Sequence, residues 1–138
     1  MTTDALKTTA VLALAALLLG SLSGCANKAS PDNIDRRAVE RWNYLVAHQA
    51  EKAYDYLTPG FRLTQTREAY AAAMNNRPVR WDAAKFKQKT CESERCKVDM
   101  DVTFSLMVPG SHKWTPATST QSETWILSNG EWFYLPSS

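Results

Sequence analysis

A chain of 138 residues, 44% apolar and 22% charged, has the composition of a folded globular protein. Once an N-terminal leader is set aside it suffices for one hydrophobic core and is too short for two domains. Sixteen Lys and Arg against fourteen Asp and Glu give a formal net charge of +2, and no Lys/Arg block occurs, so no nucleic-acid partner is indicated.

Residues 11–25, VLALAALLLGSLSGC, run apolar from Val11 to Leu19 and end in Leu22-Ser23-Gly24-Cys25. Such an apolar core is too short to span a bilayer as a permanent helix. With Lys7 before it and small residues after it, it reads as a secretory signal peptide. The last four residues resemble a bacterial lipobox, where a peptidase cuts before the cysteine and a lipid is attached to its sulfur; the alternative is an ordinary signal peptide with a chance cysteine. The expected organisation is a signal peptide over 1–24, a lipidated tether over 25–33 and a folded domain over 34–138. Fully extended at about 3.3 Å per residue, Ala26 to Asn33 reaches roughly 25 Å, which keeps the domain close to a membrane.

Asp32 to Asp35 supply capping oxygens and negative charge for a helix start. Val39, Trp42, Leu45 and Val46 then form one apolar stripe, with Arg36, Arg37, Glu40 and Arg41 mostly elsewhere. Ala50, Ala53, Tyr54 and Leu57 continue it past a kink near His48 to Glu51. Thr58-Pro59-Gly60 ends the run, and Phe61 is expected to drop back into the core. Thr66 can cap a second helix from Arg67 to about Asn75, with Tyr70, Ala73 and Met74 on its buried side.

From Val79 the period changes to two. Val98, Met100, Val102, Phe104, Leu106 and Val108 alternate with Lys97, Asp99, Asp101, Thr103 and Ser105, the pattern of a half-buried strand. Arg80 to Thr90 is expected to pair with it antiparallel. Uninterrupted pairing from Cys91 opposite Cys96 would set Lys85, Lys87 and Lys89 on the apolar face, which is costly. A bulge between Phe86 and Cys91 relieves this, placing Phe86 opposite Met100, Lys87 opposite Asp99 and Lys85 opposite Asp101. After a loop from Val108 to about Pro116, a third strand runs from about Ala117 to Leu127. Asn129-Gly130 marks a type I′ hairpin, pairing Ser128 with Glu131, Leu127 with Trp132, Ile126 with Phe133 and Trp125 with Tyr134.

Of the three cysteines, Cys25 is used by the anchor. Cys91 and Cys96 remain, an even pair in an oxidising compartment, and a disulfide is the default reading. The competing reading, half of a zinc site, fails on partners: His48 and His112 are far apart and show no paired-ligand spacing. No metal or cofactor is expected.

Ala53-Tyr54-Asp55-Tyr56-Leu57-Thr58-Pro59-Gly60-Phe61-Arg62, followed by Glu68-Ala69-Tyr70, resembles the front end of the nuclear transport factor 2-like superfamily, which includes SnoaL-like and ketosteroid-isomerase-like proteins. The resemblance covers roughly Asp35 to Leu135. It implies an α+β fold with N-terminal helices packed into a bent antiparallel sheet, a cone often holding a pocket. It also implies dimerisation through the sheet.

Enzymes of that superfamily place acids, histidines or tyrosines inside the cone. Alternation puts Asp99 and Asp101 outside it. Glu123 and Asp82 are the remaining sheet carboxylates, and of these Glu123, which shares a face with Trp125, is a candidate site residue. Neither His48 nor His112 has an obvious acid or nucleophile partner. Trp125, Trp132 and Tyr134 share one face of a hairpin whose other face already supplies core residues, and are the candidate binding set, as a ligand wall or a protein interface; the alternative is coverage of that face within the monomer, and Trp81 reads as core. The expected function is therefore a membrane-anchored envelope lipoprotein binding a protein partner or a small apolar ligand without catalysis. The alternatives are a ketosteroid-isomerase or SnoaL-type enzyme on a cyclic substrate, and a structural accessory of an envelope complex. Ala26, where Gram-negative lipoproteins retained at the inner membrane commonly carry Asp, implies the periplasmic face of the outer membrane.

Overall fold

A computed structural model describes residues 33–137. The expected signal peptide, Cys25 and most of the tether lie outside the described residues. The first helix, α1 (Ile34–Val46), buries Ile34, Ala38, Arg41, Trp42 and Leu45, a spacing of three and four that makes one continuous face. Val39 and Val46 are only half-buried. Arg41, expected on the polar side, is 3% exposed. Asp35 puts negative charge in the first turn, but Asn33 makes no side-chain capping bond.

The expected kink is a full break. His48 takes φ +55°, its N–H bonds the Leu45 carbonyl and that of Gln49 bonds the Tyr44 carbonyl. These paired bonds close a helix around a left-handed residue. The chain resumes as α2 (Ala50–Ala53) and a 3₁₀ turn, Tyr54–Tyr56. Thr58-Pro59-Gly60 does end this run, but it also starts α3 (Pro59–Thr64). Thr58 Oγ1 accepts from the Phe61 N–H at 3.4 Å, and Pro59 takes the first helical position, where a missing N–H costs nothing.

Thr66 caps α4 (Arg67–Asn75) as expected, accepting from the Ala69 N–H at 3.2 Å. Tyr70 is buried and Met74 half-buried, whereas Ala73 is exposed, because that part of α4 borders an opening rather than packed core.

Four strands follow in an antiparallel meander, ordered β1 (Val79–Glu92), β2 (Arg95–Met107), β3 (Trp114–Ser128) and β4 (Glu131–Leu135). Cys91 lies opposite Cys96, Phe86 opposite Met100 and Lys85 opposite Asp101. The bulge falls between Phe86 and Gln88. Lys87 is thus the extra residue, and Gln88, not Lys87, faces Asp99. Lys89 keeps its place opposite Val98, on the inner side, with its ammonium 4.0 Å from Asp35. A second register shift, between Trp81 and Ala83, was not expected. Strand β3 begins three residues before the expected start, with Pro116 opposite Ser105. Proline is tolerated there because β4 pairs only with residues from Thr124 on, leaving that part of β3 an edge.

The last hairpin has the expected register throughout, with φ +51° at Asn129 and +80° at Gly130. The outer border of β4 is covered by the chain after the 3₁₀ turn: Leu57 bridges Tyr134, and the Thr58 N–H bonds the Tyr134 carbonyl at 2.9 Å. Phe133, on the other side of β4, is roofed by the guanidinium groups of Arg37 and Arg62, each 5.6 Å from its ring centre. The core between α1, α4 and the sheet joins Ile34, Leu45, Leu57, Val98, Met100, Val102, Trp125 and Trp132.

Candidate functional site

Strand alternation turns Glu123 and Trp125 of β3 inward, and the α1 stripe brings Arg41 and Trp42 over them. The Arg41 guanidinium meets Glu123 Oε1 at 2.6 Å, with both side chains 4% exposed. Trp42 Nε1 donates to the same oxygen at 2.8 Å and Trp125 Nε1 to Oε2 at 3.0 Å. Both carboxylate oxygens are thus held by N–H donors. Arg41 also sits over Tyr134, 3.9 Å from its ring centre, a cation–π contact strengthened by exclusion of water. Burial pulls the Arg41 pKa down and the Glu123 charge pushes it up; the net result lies above the ordinary value. Burial raises the Tyr134 pKa, partly opposed by the Arg41 charge.

This cluster forms one wall of a cavity of about 410 Å³ between α1, α4 and the inner face of the sheet. Phe61, Met74 and Trp81 add apolar surface; Gln65, Tyr70, Arg77 and Gln121 add polar groups. Trp42 and Trp81 meet edge to face at 5.3 Å. Three lining residues carry a side-chain group that is buried without a hydrogen bond: Arg41 Nε, Tyr70 Oη and Trp81 Nε1. Tyr70 bears on Arg41 both through charge and through a side-chain hydrogen-bond contact, yet neither Tyr70 Oη nor Arg41 Nε makes a bond of good geometry.

Of the two readings of the aromatic face, coverage within the chain and exposure for contact, the structure shows coverage. Trp125 is 0% and Trp132 1% exposed, and Tyr134 is half-buried. The cover comes from α1 on one side and the Leu57 segment on the other. Of the three, only Tyr134 lines the cavity. Large apolar side chains are instead exposed at the β2–β3 connection, where Leu106, Met107, Val108 and Trp114 are each 42–44% accessible.

The remaining candidates sort by face. Asp99 accepts from Ser122 at 2.6 Å and Gln88 at 2.7 Å; Asp101 accepts from Thr120 at 2.6 Å and Lys87 at 3.3 Å. Both lie on the outer face, as expected, and hydroxyl bonds hold both carboxyls below the usual range. Asp82, at the second bulge, is held by Ser105 and Arg80 and is lowered likewise. His48 and His112 are exposed in turns with positive φ. Cys91 and Cys96 are joined by a disulfide. Among the described residues no three His, Cys, Asp or Glu cluster as metal ligands, and no helix is long and apolar enough to cross a membrane.

Sequence reasoning raised Glu123 but missed Arg41, whose signal was its position three residues after Ala38 on the buried stripe. Tyr70 was read as core packing alone.

No family model matches the chain, and no curated protein matches it. Solved structures do. A SEC-C motif-containing protein of Rhodopseudomonas palustris superposes with a TM-score of 0.58 at 13% identity, over 79% of this chain and 77% of that one. A nuclear transport factor 2-like protein of Novosphingobium aromaticivorans with a cystatin-like fold gives 0.51 at 14% identity, over 75% of each. An NTF2-like protein of Campylobacter jejuni gives 0.52 at 10% identity, over 76% of this chain and 99% of that one. At these identities the likeness is one of fold. The chain has the nuclear transport factor 2-like α+β fold, with helices on a four-stranded antiparallel sheet.

Proposed function

We propose that this is an exported, lipid-anchored domain that binds a small molecule in the cavity between α1, α4 and the sheet. The observation that carries the binding half is the cavity itself. Its volume of about 410 Å³ falls in the range of small-molecule sites, and its walls mix aromatic surface with a few placed polar groups. The anchored half rests on residues 11–25, through the signal-peptide pattern and the likeness to a lipobox at Cys25. Ala26 supports the periplasmic face of the outer membrane. Partner binding through Trp125, Trp132 and Tyr134 loses its basis, since two of these are fully enclosed.

A second reading, an enzyme on a cyclic substrate, draws on the same convergence of polar groups. Proton abstraction needs a carboxylate oxygen free to take the proton. Glu123 is the cavity carboxylate, and three N–H donors occupy its oxygens. Ligand binding is therefore the better supported function.

The test is native mass spectrometry of the full-length protein released from membranes in detergent, beside an Ala73→Trp variant that fills the opening. A small-molecule adduct on the parent that is absent from the variant supports the reading. Identical bare masses, with no thermal stabilisation by any member of a metabolite panel, remove it. Palmitate incorporation that persists in Cys25→Ser removes the anchor.

A further inference from the structure

Resting on the cavity as a ligand site, we propose that its ligand is a small carboxylate with an apolar body, held by hydrogen-bond donors rather than by the Glu123 side. Burying an N–H or O–H without a partner costs free energy, so native proteins rarely leave one. Three residues of the cavity wall carry such groups, each closed to water behind the wall surface: Arg41 Nε, Tyr70 Oη and Trp81 Nε1. Arg41 and Tyr70 are 3% and 6% exposed. Trp132 Nε1 is also unbonded, but it does not line the cavity. The guanidinium and indole N–H groups can only donate, and a phenol donates readily to an anion. What the wall lacks is an acceptor.

Charge points the same way. Arg41 is balanced by Glu123 at 2.6 Å. Arg77, also on the cavity wall, has no ion pair among the described residues and is close enough to Tyr134 to lower its pKa. The lining thus carries one positive charge more than negative, and a single negative charge on the ligand completes it. A carboxylate also suits planar guanidinium donors, whose bonds to it are charge-assisted. Trp42, Trp81, Phe61 and Met74 offer the apolar body its surface.

The experiment titrates the full-length protein in detergent with benzoate and hexanoate, and with benzamide and hexanamide as neutral counterparts of equal shape, by calorimetry. Each acid is expected to bind about tenfold more tightly than its amide, the scale of a hydrogen bond to a charged group. Tyr70→Phe and Arg77→Gln are each expected to weaken the acids about fivefold and to leave the amides within about twofold. Tyr70→Phe keeps the ring and removes only an unbonded hydroxyl, so it remains folded for the comparison. Equal binding of acid and amide, or a preference for acid that survives in the double variant, overturns the carboxylate and leaves the cavity as a ligand site. Binding of neither overturns both.

Discussion

Arg41 and Glu123 stand 82 residues apart in the chain and 2.6 Å apart in space, in a setting where each is almost wholly enclosed. The pair ties the middle of α1 to the middle of β3. Two tryptophan N–H groups complete the shell around the carboxylate. Removing one member of such a pair leaves a buried charge without compensation. Glu123→Gln is expected to cost about 3 kcal/mol in urea unfolding. Replacing both, as Arg41→Met with Glu123→Leu, removes both desolvation costs and is expected to cost far less than the single change. A double variant weaker than the sum of the two singles would contradict this coupling.

Tyr70→Phe tests the wall in the absence of ligand. Its hydroxyl is buried and unbonded, so deleting it relieves a desolvation cost of about 1 kcal/mol or more. The melting temperature of the unliganded protein is expected to hold or rise. A marked fall would mean that the hydroxyl has a structural partner.

The Cys91–Cys96 bridge joins residues directly opposite each other in the β1–β2 ladder. It closes a short loop, so reduction is expected to cost only about 2 kcal/mol on the chain-entropy view. Unfolding with and without reductant measures this. Complete loss of structure on reduction would show the bridge to be more than a staple.

Acid and base act on different groups. Hydroxyl bonds lower the pKa of Asp99 and Asp101 in the folded state. Their contribution is therefore present above the ordinary carboxylate range and is lost as pH falls through the depressed values. Burial, with the bond to Glu40, pushes Tyr56 up to about 12. Its contribution is present below the usual tyrosine value and is lost as pH rises from there through about 12. Asp101→Asn is expected to flatten the acid limb of stability against pH, and Tyr56→Phe the alkaline limb. Unchanged limbs in both variants would assign the pH dependence to other groups.

Much of the architecture is legible because it follows local rules. The Asn129-Gly130 turn admits one register, and alternation then puts Trp125, Trp132 and Tyr134 on a common side. What alternation cannot say is what lies over that side. With Ile126 and Phe133 able to satisfy the core from the opposite face, the pattern leaves coverage and contact both open; in the fold, two arginines shelter Phe133 and α1 takes the tryptophans. Arg41 was hidden for a related reason. A charged residue in a helical pattern reads as solvent-facing unless its counter-ion is known, and that counter-ion comes from β3. The bulge near Phe86 could be anticipated from the cost of burying lysines, since it is a conflict within one hairpin. The second bulge, at Asp82, involves Arg80 and Ser105 side chains and leaves no such trace.

The two borders of the sheet are treated unlike each other, to one effect. Along β4 the backbone is engaged at Tyr134 by Leu57 and Thr58. Along β1, among the described residues, two irregularities interrupt the hydrogen-bonding row, and Lys85 and Lys87 project from it. Neither rim offers a long, straight, uncharged template for strand addition. Molecules of this protein crowded side by side are thus discouraged from merging into a continuous ribbon.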